Sequence, residues 1–345
     1  MQRHPLLKTR TGGFSLIEFM VAMVLGIILI GGAVSVYLAS KRSYTEVEQV
    51  AALSENGRFA LQILNDSLRH AGFFGAANPR DVRPDGGLAG IVSDCTGDAA
   101  ALDTGRFLVA TSADVDGDAY GCVTDALPNT DVLVVKQALP RPLRDSDPND
   151  ATDIPDGVID FPTALSDQDI YIIANSEAGL ILDGADTPPD VAPGGEFALA
   201  EAWPYRVYVY YVRDAEVPTL SRRELTWNGA ALAMDEPPED LVEGVENFRV
   251  MFGLANPATR EVNRWVNMGG VADWDRVAAV EVFLLLRSAT TDTDYRDEKA
   301  YQLGDLVITP ATDANYDETT RRARRLLVHS AISLRNPKLV LRGGA

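Results

Sequence analysis

Hydrophobic and polar positions divide the chain into three stretches with different periods. Residues 1–13, MQRHPLLKTRTGG, are polar and basic. Residues 14–39, FSLIEFMVAMVLGIILIGGAVSVYLA, are apolar apart from one ionisable side chain, Glu18. At a helical rise of about 1.5 Å per residue this run reaches roughly 39 Å, enough to cross a hydrocarbon core of about 30 Å. From 40 to 72 the pattern turns amphipathic: Val50, Leu53, Ala60, Leu61, Leu64 and Leu68 recur at helical spacings amid polar residues, and Gly72 stands where a helix would stop. Beyond it, short β-type runs at 131–135, 170–173, 205–212, 277–287 and 326–334 are separated by Gly, Asp and Pro. The stretches near 75–105, 140–163 and 183–196 read as long loops. A helix followed by strands predicts an α+β class, with a mainly antiparallel sheet laid on the helix in a head covering 73–345. There is no internal repeat and no evident domain linker.

Arg3, Lys8 and Arg10 precede the apolar run, which predicts a cytoplasmic N-terminus and a head on the far side of the membrane. A secretory signal would have a shorter apolar core and a small-residue cleavage site. Glu18 is the anomaly, because a carboxylate inside the membrane costs about 2.5–3.5 kcal/mol and so requires a partner.

The formal net charge is −19, and the chain without its first 13 residues would be more negative still. Such a field repels a phosphate backbone, so no nucleic-acid partner is expected. The dense basic group Arg321, Arg322, Arg324 and Arg325 reads as a charged strand flank or a partner for nearby carboxylates. Cys95 and Cys122 both follow the apolar run, and in an oxidising compartment they are expected to form a disulfide. Catalytic signatures are missing. The histidines are His4, His70 and His329, with no Gly-x-Ser-x-Gly elbow, His-Glu-x-x-His pair or phosphate-binding loop, so no enzymatic function is expected.

Two acidic loops alternate oxygen ligands as a hard cation would need: Asp114, Asp116, Asp118 with Asp125, and Asp145, Asp147, Asn149 with Asp153 and Asp156. They are the candidate calcium sites. Neither fits an EF-hand, since Gly117 and Ala119 stand at the fourth and sixth positions of the first, Asp150 at the sixth of the second, and neither ends in glutamate. Solvated acidic loops are the expected reading, with no resident cofactor.

Gly12-Gly13 followed by Phe14-Ser15-Leu16-Ile17-Glu18 resembles the type IV prepilin signal. The resemblance implies cleavage by a prepilin peptidase between Gly13 and Phe14 and N-methylation of Phe14. Glu18, then the fifth residue, would pair with the N-terminal ammonium of a neighbouring subunit. The organisation implied is a leader at 1–13, a transmembrane and filament-core helix at 14–39, an amphipathic helix at 40–72 and the extracytoplasmic head. One departure is the lack of the proline that many major pilins carry in the apolar run; Gly26, Gly31 and Gly32 are its only weak points.

Further along, 68–75 (LRHAGFFG), 131–136, 220–222, 241–249 (LVEGVENFR), 280–288 and 332–336 are similar, in order, to PilW-type minor pilins, which are akin to minor pseudopilin J of type II secretion. That resemblance implies a pilus-assembly role in a priming or tip complex. The implied partners are other minor pilins, the major pilin, the prepilin peptidase, the inner-membrane assembly platform and membrane lipid. Its place would be the bacterial inner membrane, with the head periplasmic, and then the pilus. A minor pseudopilin and a tip-displayed adhesin are the alternatives. Calcium-stabilised loops occur in some pilins and pseudopilins, an analogy that keeps the two acidic loops in view.

Overall fold

A computed structural model describes residues 13, 15–143, 165–259 and 261–335, apart from the side chain of Asp275. One helix, α1 (Leu16–His70), begins in a first compact unit, Met1–Ala51, and ends in a second, Ala52–Ala345. The head is the second unit.

Within the head, α1 buries one stripe, Leu53, Gly57, Ala60, Leu64, Ser67 and Leu68. The expected stripe is shortened at its start: Val50 is exposed and Leu61 only half-buried. The helix stops where predicted. Gly72 takes a φ of +71°, a conformation that costs glycine little, and a Cβ there would meet the Phe107 ring at 2.8 Å.

The first sheet contains β1 (Val82–Pro84), β2 (Leu108–Ser112), β3 (Asp131–Ala138), β4 (Ile170–Ala174), β5 (Gly179–Asp183), β6 (Glu201–Arg213), β7 (Thr219–Trp227), β8 (Leu232–Met234) and β9 (Glu239–Glu243). Its order is β1-β5-β4-β6-β3-β2, with β7 also on β6 and β8 and β9 on β7. Only the β1–β5 pair is parallel among these ladders. The second sheet begins with β10 (Val245–Ala255), β11 (Val262–Val266) and β12 (Val277–Thr291). The chain then makes a hairpin of β13 (Tyr301–Leu303) and β14 (Leu306–Ile308) and returns as β15 (Ala323–Ser333), giving the antiparallel order β11-β10-β12-β15. The five runs expected from sequence are β3, β4, β6, β12 and β15. Parts of the expected 75–105 loop form β1 and three short 3-10 turns.

Alternation places each strand's two faces in different cores. Leu133 and Val135 of β3, Tyr210 and Val212 of β6, and Val250, Phe252, Val280, Val282, Leu284 and Leu286 of the second sheet join the helix stripe in one cluster. Val132 and Val134 of β3, with Val207, Val209 and Tyr211 of β6, face a second core that contains Cys95 and Cys122. All eight residues of β3 are therefore buried, which explains the run of four consecutive apolar residues, 132–135, within it. The far side of the second sheet, Met251, Phe283 and Leu285, is covered by Tyr301, Leu303 and Ile308 around the hairpin.

The expected disulfide joins Cys95 to Cys122, Cα to Cα 4.7 Å, at a sequence separation of 27 that takes in β2. Closing a loop of that size contributes about 3–4 kcal/mol in the chain-entropy account. Next to it, the fully buried Lys136 donates to the carbonyl oxygens of Asp98 at 2.9 Å and Asp103 at 2.6 Å, fastening the loop that follows Cys95 to β3.

Two ion networks tie the parts together. The carboxylate of Asp131 on β3, fully buried, accepts from Ser112 Oγ at 2.9 Å, Arg249 Nη1 at 2.9 Å and the Val250 amide at 2.8 Å, so β3 is bonded across to β10 of the other sheet. Arg249 reaches on to Asp305, which also accepts from Asn267. Burial pushes Asp131 above its ordinary value against the pull of Arg249, while the Arg249 hydrogen bond holds Asp305 below it. In the second network the buried guanidinium of Arg325 lies between Glu246, at 2.6 Å, and Asp297, at 3.2 Å. Tyr316 donates to Glu246 and Tyr301 to Asp297, which fastens the excursion between β12 and β15 onto the sheet.

Two outcomes are expected. A Cβ at Gly57 would lie 3.1 Å from Val328 Cγ1 and 3.4 Å from Leu286 Cδ1, so Gly57→Leu should overpack the helix–sheet contact and cost about 1–3 kcal/mol in denaturant unfolding. The second concerns Lys136, whose burial lowers its ammonium to about 8. The folded chain sheds this proton at lower pH than the unfolded chain, so this group's contribution to stability should rise from about pH 8 to about 10.4, by about 3 kcal/mol in all. Unfolding free energies measured across that window should show this slope in the wild type relative to Lys136→Met; parallel curves would contradict it.

Candidate functional site

The first turn of α1 satisfies itself. A helix start leaves backbone N–H groups without partners, and here the Glu18 amide donates to Ser15 Oγ at 3.2 Å while the Ser15 amide donates to Glu18 Oε2 at 2.9 Å. This is a reciprocal capping box, and Phe19 N to Ser15 O at 3.1 Å opens the helical ladder. The Ser-x-x-Glu spacing was present in the sequence; reading Glu18 only as an intramembrane charge passed over its local partner. Gly13 is exposed, with room for a Cβ on every side, and Phe14 lies outside the described residues.

From Leu16 to Leu38 the large apolar side chains are 48% to 79% exposed. The most apolar 18-residue window has a mean hydropathy of 2.6 and none of it is buried, so by length and composition this helix can cross a membrane. Soluble monomers seldom carry a contiguous apolar patch above a few hundred Å². A surface of this kind is stable only against lipid or other apolar helices, and Glu18 is its one carboxylate.

In the first candidate calcium loop the carboxylates of Asp114 and Asp125 take part in hydrogen bonds. Asp114 Oδ1 accepts from the amides of Asp116 and Asp118, both at 2.9 Å, and Asp125 accepts from the Tyr211 hydroxyl at 2.8 Å. Among the described residues no three His, Cys, Asp or Glu side chains converge as metal ligands. The second loop, Asp145, Asp147, Asn149, Asp153 and Asp156, lies outside the described residues.

His70 bonds the Asp66 carbonyl within α1, and His329 stacks on Phe283 beside Glu281. The arginine group faces acceptors, as expected. Arg321 donates to the carbonyls of Pro310 and Asp313, Arg322 lies beside Glu318, Arg324 beside Asp292 and over the Tyr295 ring, and Arg325 is fully buried. Nothing in the local sequence pointed to Glu246 and Asp297 as the partners of Arg325, since both come from distant segments.

The family described as Type IV Pilus-assembly protein W matches residues 209–336, and the prokaryotic N-terminal methylation motif matches residues 8–34. No curated protein matches the chain. Among solved structures, a type IV-like pilin from Thermus thermophilus is similar at 18% identity, over 50% of this chain and 86% of that one, with a TM-score of 0.22, too low to carry a fold assignment. The first match contains β7 to β15 and thus the whole second sheet; the second contains Gly13, Ser15 and Glu18. In these two segments the chain is similar to the Type IV Pilus-assembly protein W family and to the N-terminal methylation motif.

Proposed function

We propose that the chain is inserted in the inner membrane with its head on the periplasmic side and is cut by a prepilin peptidase between Gly13 and Phe14. Phe14 then becomes the methylated N-terminus, and the protein joins other minor pilins on the assembly platform to prime a pilus, at whose tip it stays. Its work is structural, not enzymatic. The observation that carries this reading is the exposed apolar half of α1 with a single carboxylate in its first turn.

The capping box sharpens the role of Glu18. One carboxylate oxygen, Oε2, is held by the Ser15 amide, an N–H that remains an amide after a cut before Phe14. A carboxylate has about four acceptor positions, so Oε1 can receive the N-terminal ammonium of a neighbouring subunit while the cap stays closed. In an apolar surrounding such a pair forms only in one register, because a charge left without its partner is strongly destabilising.

Intact mass and N-terminal sequencing of the protein from cells with and without the peptidase should give a chain starting at N-methyl-Phe14 only when the enzyme is present. Cleavage near Ala39, or none, would remove the basis of this reading. Cap and charge can be separated: Glu18→Gln retains a capping side chain and lacks the charge, whereas Glu18→Ala lacks both. Both variants should be cut normally and both should fail to support piliation. Normal piliation with Glu18→Gln would show that Glu18 acts only as a cap.

A further inference from the structure

A cavity of about 480 Å³ opens where the loops at one end of the first sheet meet the second sheet. Its lining comes from the turn before β3, the turn between β6 and β7, the start of β10, Arg287 of β12, β14 and the segment that follows it. The volume lies in the range of small-ligand sites, roughly 300–1,000 Å³. No residue of the N-terminal helix takes part in it.

The polar wall is fixed on one side and unfinished on the other. Glu246 is held by Arg325 and by the Tyr316 hydroxyl. Its neighbour Asn247 is 9% exposed, and its Oδ1 has no hydrogen-bond partner among the described residues. A buried acceptor left unpaired is costly, and a half-turn of the amide can present it to whatever fills the cavity.

Charge narrows what that can be. Asp214 and Asp313 line the cavity, and neither carboxylate is in an ion pair among the described residues. The lining cation, Arg287, is already engaged: its Nη2 donates to the Glu216 carbonyl at 3.0 Å and its Nε lies 3.9 Å from Glu246. Leu127, Pro128, Pro218, Leu306 and Ile308 supply the apolar remainder. An anion would meet unpaired carboxylates, and a purely apolar guest would leave Asn247 unpaired. A short aliphatic stem with an N–H-bearing cationic head satisfies both requirements.

We propose that this cavity binds an alkyl cation, an ammonium or guanidinium group on an aliphatic stem, with Asp214, Asp313 and Asn247 receiving the head. The cation comes either from a basic side chain of another polypeptide or from a free amine of the surrounding fluid.

Full-length protein in a zwitterionic detergent, titrated calorimetrically with n-butylguanidinium and with its neutral analogue n-butylurea, tests this. Saturable binding of n-butylguanidinium is expected, with n-butylurea weaker by about tenfold or more. The Asp214→Asn/Asp313→Asn double variant should lose about tenfold in n-butylguanidinium affinity. Asp214 is at the surface, and Asp313 Oδ1 caps the Asn315 amide, a bond that asparagine retains, so this variant should keep the wild-type melting curve. No saturation by n-butylguanidinium, equal binding of n-butylurea, or unchanged affinity in the double variant would each overturn the proposal. A capped Gly-Arg-Gly peptide then separates the sources. Tighter binding than n-butylguanidinium assigns the site to a side chain of a partner polypeptide; equal or weaker binding assigns it to a free amine.

Discussion

Burial of one helix stripe against two sheets at once is the contact on which the head depends. The sheets have separate hydrogen-bond ladders, and the surfaces they turn toward α1 are covered together by Leu53, Ala60, Leu64 and Leu68. Gly57 sets how close the approach is, because it lets Val328 of β15 come against the helix backbone. Without the helix, the apolar faces of β3, β6, β10 and β12 would all lose their cover, and the hydrophobic term that opposes chain entropy would go with it.

Apolar contact is non-directional, so it does not by itself fix how the two sheets meet. The buried ion groups supply that direction. Asp131 accepts from an arginine and a backbone amide of β10, and Arg325 takes two carboxylates from segments far apart in the chain. Buried ion pairs often contribute little net stability, because desolvation offsets their attraction. Their geometry is strict, though, since an arginine fork and a carboxylate match in few orientations. In a chain with a net charge of −19, the buried Arg325 is paired with two carboxylates, while the buried Arg223 donates to the Asp235 carbonyl.

The sequence was informative wherever one period ran without interruption. The apolar run, the stop at Gly72, and the strands at β3, β4, β6, β12 and β15 were all readable, because a side chain's surroundings there are set by its own element. β7 and β10 escaped as strands because charged residues interrupt them: Arg222, Arg223 and Glu224 in one, Glu246 and Arg249 in the other. Those charges are half or fully buried because their partners arrive from other parts of the chain, which no local pattern can announce. The same reason hid the partners of Arg325 and the cavity beside them. Glu18 was found through its oddity in an apolar run, while its bond to Ser15 was written in an ordinary capping spacing.

The junction at Gly72 has a mechanical consequence. Its amide donates at 3.0 Å to the carbonyl of Lys136, so the end of α1 is fastened to β3, a strand with ladder neighbours β2 and β6 on its two sides. Tension drawn through the helix therefore enters the head at an interior strand, where it must shear two ladders together, and not at an edge, where strands could be peeled away one bond at a time. A subunit loaded in this way resists extension as a block.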